Sequence, residues 1–82
     1  MPKARPLGKG WSRWTHRLGY SFKQGDLRAD LWPSWRSWVE PWIFEVWRDG
    51  DRKNVLATGS APSHWAGVNG VQEAVRRIEA GE

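Results

Sequence analysis

The chain has 82 residues, a net charge of +4, no cysteine and eight tryptophans. The length suits one small domain, and the missing cysteines exclude a disulfide framework or a thiolate metal site and fit a reducing, cytoplasmic setting. The opening Met1-Pro2-Lys3-Ala4-Arg5-Pro6 lacks the apolar stretch of a signal peptide, and Trp42-Ile43-Phe44, the longest strongly apolar run, is far too short to span a membrane.

Charge is unevenly spread. Residues 1–25 hold Lys3, Arg5, Lys9, Arg13, Arg17 and Lys23 and no acid, whereas residues 26–82 hold seven cations and nine acids. A basic amino-terminal part on a near-neutral body is a common arrangement for binding polyanions, and it also serves as a plain solubilising tail. Residues 1–10, rich in proline and glycine with little apolar side chain beyond Leu7, read as a flexible basic arm ahead of a single domain over 11–82.

From Trp14 to Phe22 the chain alternates. Trp14, His16, Leu18, Tyr20 and Phe22 share one parity, and Arg13, Thr15, Arg17, Ser21 and Lys23 the other. Period-two alternation predicts a half-buried strand with an aromatic face and a basic face. Gln24-Gly25-Asp26 reads as a turn. Leu27, Ala29 and Leu31 then alternate like a short strand pairing back on the first. Trp32, Trp35 and Trp38 suit either a short helical turn opened by Pro33 or an irregular clasp of rings.

Pro41 to Arg48 is the strongest strand, the polar loop Asp49-Gly50-Asp51-Arg52-Lys53 turns the chain, and Val55 to Gly59 returns as its partner. After Ser60–Ser63, the three- and four-residue steps of Trp65, Val68, Val71, Val75 and Ile78 give a helix with one apolar stripe. Either Ser63 or Asn69 can cap it; the phase of Trp65 and Val68 favours the longer helix, although Gly67 and Gly70 each cost about 1 kcal/mol inside it. The expected fold is α+β: a small antiparallel sheet of three or four strands packed on one carboxy-terminal helix.

Enzyme signatures are missing. His16 and His64 sit in no metal-ligand spacing, Ser60, Ser63 and His64 form no nucleophile elbow, and the glycines match no phosphate-cradling loop, so the chain reads as a non-enzymatic binding module with no cofactor or metal. Two partner classes fit. Nucleic acid would be held through the basic strand face, with Arg13, Arg17 and Lys23, and through Arg48, Arg52 and Lys53 of the hairpin, with Trp11 or Trp47 stacking on an unpaired base.

The alternative is a protein partner, since tryptophan and arginine dominate interface hot spots. Eight enclosed indoles would remove roughly 1,200–2,000 Å² from water, more than so small a domain readily hides. Trp32, Trp35, Trp38 and Trp47 are the first candidates for exposure. The strand and helix phases assign Trp14, Trp42 and Trp65 to the core, with Trp38 joining them. That leaves Trp11, Trp32, Trp35 and Trp47 as the protein-binding set. A homodimer burying these rings would satisfy the same physics, and no amphipathic basic helix suggests a membrane surface.

The stretch Trp42-Ile43-Phe44-Glu45-Val46-Trp47-Arg48-Asp49-Gly50, then Val55-Leu56-Ala57-Thr58-Gly59-Ser60, then Val71-Gln72-Glu73-Ala74-Val75-Arg76-Arg77-Ile78, resembles small uncharacterised phage and prophage proteins that pair a hairpin with a helix. Its order of strands and helix is also similar to that of the DNA-binding domains of phage-type integrases and of the plant AP2 domain. The resemblance covers residues 42–80. It implies a phage-related protein acting on nucleic acid or on a host protein, and DNA reading from a basic sheet face. In this chain the basic strand is Arg13 to Lys23, while the hairpin carries Glu45, Asp49 and Asp51.

Overall fold

Five antiparallel strands and one helix form in residues 8–81, the part of the chain that the computed structural model describes. The strands are β1 (Trp11–Arg13), β2 (Tyr20–Gln24), β3 (Leu27–Pro33), β4 (Trp42–Arg48) and β5 (Ala57–Ala61), and the helix is α1 (His64–Glu79). The sheet order is β1-β2-β3-β4-β5, a meander in which every strand pairs with its neighbours in sequence. The expected α+β architecture holds, with five strands where three or four were expected.

The sheet is two-faced. Tyr20, Phe22, Leu27, Ala29, Leu31, Phe44 and Val46 point to one side and are buried against Val68, Val71 and Val75 of α1. Alternation sorts them, and the register keeps them together: Phe22 faces Ala29, Ala29 faces Val46, and Leu31 faces Phe44. Three glycines let the helix come close. A methyl group at Gly67 would collide with the Leu31 side chain, and one at Gly59 or Gly70 with the Phe44 ring. The helix starts where the longer reading placed it: Ser63 Oγ accepts from the Ala66 amide at 3.2 Å, and Arg76 and Arg77 lie in the last turn, where cations favour the helix dipole.

The expected strand over residues 14–22 is replaced by β1, a loop over residues 14–19, and β2. The Trp14 amide donates to Gly19 O at 2.9 Å and its ring lies flat on Gly19, where any side chain would clash. The chain therefore folds back before β2 begins. His16 and Leu18 continue the alternation but have no neighbour to pack on, and both are exposed rather than in the core. The first seven residues of the expected arm lie outside the described residues. Residues 8–10 form a turn, and Gly10 O accepts from the Lys23 amide at 3.0 Å.

No helical turn forms after Trp32. Trp32 and Pro33 end β3, and residues 34–41 make a loop closed by the Ser34 amide donating to Pro41 O at 2.8 Å. The returning strand β5 begins two residues later than expected, at Ala57. Leu31 is fully buried beneath Gly67. Leu31→Ala should therefore lose about 2–5 kcal/mol of unfolding free energy in a urea titration.

Candidate functional site

The sheet face turned away from α1 has no element over it among the described residues. Its central row runs Ser12, Ser21, Asp30, Glu45 and Thr58 across all five strands. Flanking rows place Lys23, Arg28 and Trp47 on one side and Trp32, Ile43 and Ser60 on the other. Trp14 joins this face from its loop, donating from Nε1 to Ser21 Oγ at 2.7 Å, and Ser21 Oγ donates to Asp30 Oδ1 at 2.9 Å.

Asp30 and Glu45 are directly paired across β3 and β4, an arrangement that repels when both are charged. Arg52 resolves it. The β4–β5 loop folds back over the face so that the guanidinium reaches Glu45 at 2.9 Å and Asp30 at 4.0 Å, and lies 3.9 Å from the Trp47 ring centroid. Arg17 similarly lies 4.7 Å from the Trp14 ring centroid. The face thus carries three half-buried indoles, two of them stacked by arginine, around a centre in which two carboxylates share one guanidinium.

A second group of rings stands at one end. In the 34–41 loop Trp35 is 62% exposed, Trp38 90% and Val39 77%. Trp35 takes the left-handed region, with φ of 60°, an uncommon conformation for a bulky side chain. The loop is nevertheless tied down. Ser37 Oγ accepts from the amides of Val39 and Glu40, each at 3.2 Å, and Ser60 Oγ donates to Glu40 Oε1 at 2.9 Å.

The tryptophans therefore sort differently from their expected phases. Trp42 packs against the core as expected. Trp14 lies on the open face, Trp38 is the most exposed ring, and Trp65 is exposed on α1, its ring tilted against that of His64 with centroids 4.9 Å apart, so none of these three is a core ring. Trp11, expected to be free for a partner, packs on Phe22 with centroids 4.9 Å apart, and its buried Nε1 has no hydrogen-bond partner among the described residues. Parity decides this: Trp11 pairs with Phe22 on the helix side of the sheet. Trp32 and Trp47 on the open face and Trp35 on the loop remain accessible.

The six basic candidates do not form one face. Arg13 lies on the helix-side parity of β1, 6.0 Å from the Tyr20 ring centroid, Arg17 is in the loop, and Lys23 is on the open face. Arg48 pairs with Asp26 at 2.9 Å, Arg52 is held by Glu45, and Lys53 is an exposed loop residue. The ion pairs among the described residues use Arg28, Arg48, Arg52 and Arg77. Lys9, Arg13, Arg17 and Lys23, all along the β1–β2 side, stand outside them. Sequence reading missed Asp30 and Arg28, whose importance lies in cross-strand register; the one available signal was the pairing of acids that register implies.

The two seryl groups near His64 are occupied elsewhere, Ser60 on Glu40 and Ser63 in the helix cap. Among the described residues no three histidine or acidic side chains gather as a metal site, and no helix is long and apolar enough to cross a membrane. Comparison with protein-family models, curated proteins and solved structures gives no match to this chain.

Arg52→Ala leaves two facing carboxylates without their shared cation and uncovers one side of Trp47. It should cost about 1 kcal/mol in stability at neutral pH and shift the Trp47 contribution to emission to longer wavelength, measured by denaturation and fluorescence.

Proposed function

We propose that this chain is a protein-interaction module that binds a folded protein partner through the 34–41 loop and the adjoining open face. The observation that carries this reading is Trp38, 90% exposed beside Trp35 and Val39 on a loop that hydrogen bonds hold in shape. A convex apolar tip of this kind loses little conformational freedom when it docks, and it calls for an apolar pocket on the other side. Tryptophan and arginine together are the hot-spot composition of protein interfaces. The Asp30–Arg52–Glu45 centre, two carboxylates to one cation, favours a protein surface over a polyanion on the open face. With the phage-like pattern of residues 42–80, the partner is a host protein.

A second reading keeps nucleic acid on the β1–β2 side, favoured by Lys9, Arg13, Arg17 and Lys23 lying outside the ion pairs of the described residues. It predicts affinity for DNA that falls steeply as salt rises and drops further in Arg13→Ala/Arg17→Ala.

The two readings separate in one experiment. The tagged chain captures host protein after nuclease treatment, and the captured protein is identified, purified and titrated back by calorimetry. Trp38→Ala should weaken that binding at least tenfold, a hot-spot-sized effect, with the unfolding midpoint nearly unchanged because the ring touches little. Arg13→Ala/Arg17→Ala should leave it intact. Binding that disappears with nuclease, or that survives Trp38→Ala and Trp35→Ala together, overturns the proposal.

A further inference from the structure

The two edges of the sheet are unlike. β1 is three residues long, contains Arg13 and follows Lys9, and shortness and cations are the usual devices that keep an edge from pairing with another chain. β5 has neither. Ala57-Thr58-Gly59-Ser60-Ala61 carries no charge and no proline, and as the last strand of the meander it turns one row of backbone groups away from β4 with no partner strand among the described residues. Beside it a groove runs between β5 and α1, lined by Phe44, Leu56, Gly59, Gly70, Ala74 and Ile78. Leu56 is 43% exposed at its mouth. Glu73 and Arg77 stand on the helix side of the same groove, 2.7 Å apart.

We infer that β5 is a strand-addition site for a second copy of this chain. The two β5 strands pair antiparallel about a two-fold axis near Gly59, joining the sheets edge to edge with both helices on one face. The charges of the groove select this occupant. A two-fold axis between antiparallel helices sets Glu73 of each copy toward Arg77 of the other, so both copies gain the same complementary pair. The spacing allows it. With four strands between the two β4 strands inclusive, helices seated over β4 lie about 14 Å apart, a gap that long side chains such as Glu, Arg and Ile fill. Near the axis the strand is alanine and glycine on the helix side and Thr58 and Ser60 on the other, side chains small enough for close backbone approach. The strand pairing uses none of the Trp35–Val39 side chains, although their loop adjoins β5 where Ser60 Oγ donates to Glu40 Oε1.

The test is sedimentation equilibrium of the full chain from 1 to about 500 µM, with deuterium exchange of the amides of residues 57–61. Both charged positions are exposed on the helix, so their variants are expected to fold. The wild type should dimerise, and its β5 amides should exchange more slowly as concentration rises. Arg77→Glu, which sets four acids around the groove, should weaken dimerisation roughly tenfold or more and release those amides. The exchanged pair Glu73→Arg/Arg77→Glu should restore both, because a two-fold contact is indifferent to which end carries which sign. Trp38→Ala should leave dimerisation unchanged. A monomer over the whole range overturns the inference. So does a dimer that ignores Arg77→Glu and leaves residues 57–61 exchanging freely, which would place the contact elsewhere. Protection of β5 in a monomer only on addition of the host protein would assign the edge to that partner instead, and would equally overturn it.

Discussion

The helix can lie on the sheet only because Gly67 admits the Leu31 side chain and Gly59 and Gly70 admit the Phe44 ring. Two glycines inside a helix cost about 2 kcal/mol in propensity, and burying one leucine contributes roughly 1.5–3 kcal/mol in return, before the Phe44 contact is counted. The exchange favours close approach. It also fixes where the helix sits, over β3, β4 and β5, with its valines in register with the central strands.

Everything functional follows from that placement. One helix covers one face, so the remaining large rings have nowhere inside to go. Trp42 and Trp11 are drawn in at the margins of the core, where Tyr20 and Phe22 meet them. Trp14, Trp32 and Trp47 are left on the opposite face, half-covered by one another's neighbours and by stacked arginines. The same placement leaves β5 at an edge with a groove beside it, while β1 at the far edge is short and basic. A small domain with a single helix is thus asymmetric by construction: one dry face, one aromatic face, one guarded edge and one open edge.

Much of this was legible in the residues and some was not. Leu27, Ala29 and Leu31, the strand from Trp42 to Arg48 and the long helix capped by Ser63 all follow from periodicity, because each segment keeps its period for the whole length of the element. The run from Trp14 to Phe22 also keeps its period, yet two-thirds of it is loop. Alternation records which side chains prefer to be apart; it does not record that Gly19 offers Trp14 a flat place to fold back on. The site was read less well than the fold. Arg52 was visible as a hairpin cation, but its role depends on Asp30 and Glu45 being cross-strand partners fifteen residues apart, which only the register establishes.

What the sequence determined by itself is local: strand and helix periods, the turn at Gly25, the helix cap, an acid-free amino-terminal stretch, and an excess of tryptophan over what one small core can hold. What only the tertiary structure decided is which tryptophans make up that excess. Trp38 and Trp65 have the spacing of core residues and are exposed, whereas Trp11 has the position of a free terminal ring and is packed. The reason is physical. Periodicity assigns a side chain to a face of its own element, but burial depends on whether another element covers that face, and a chain with one helix can cover only one.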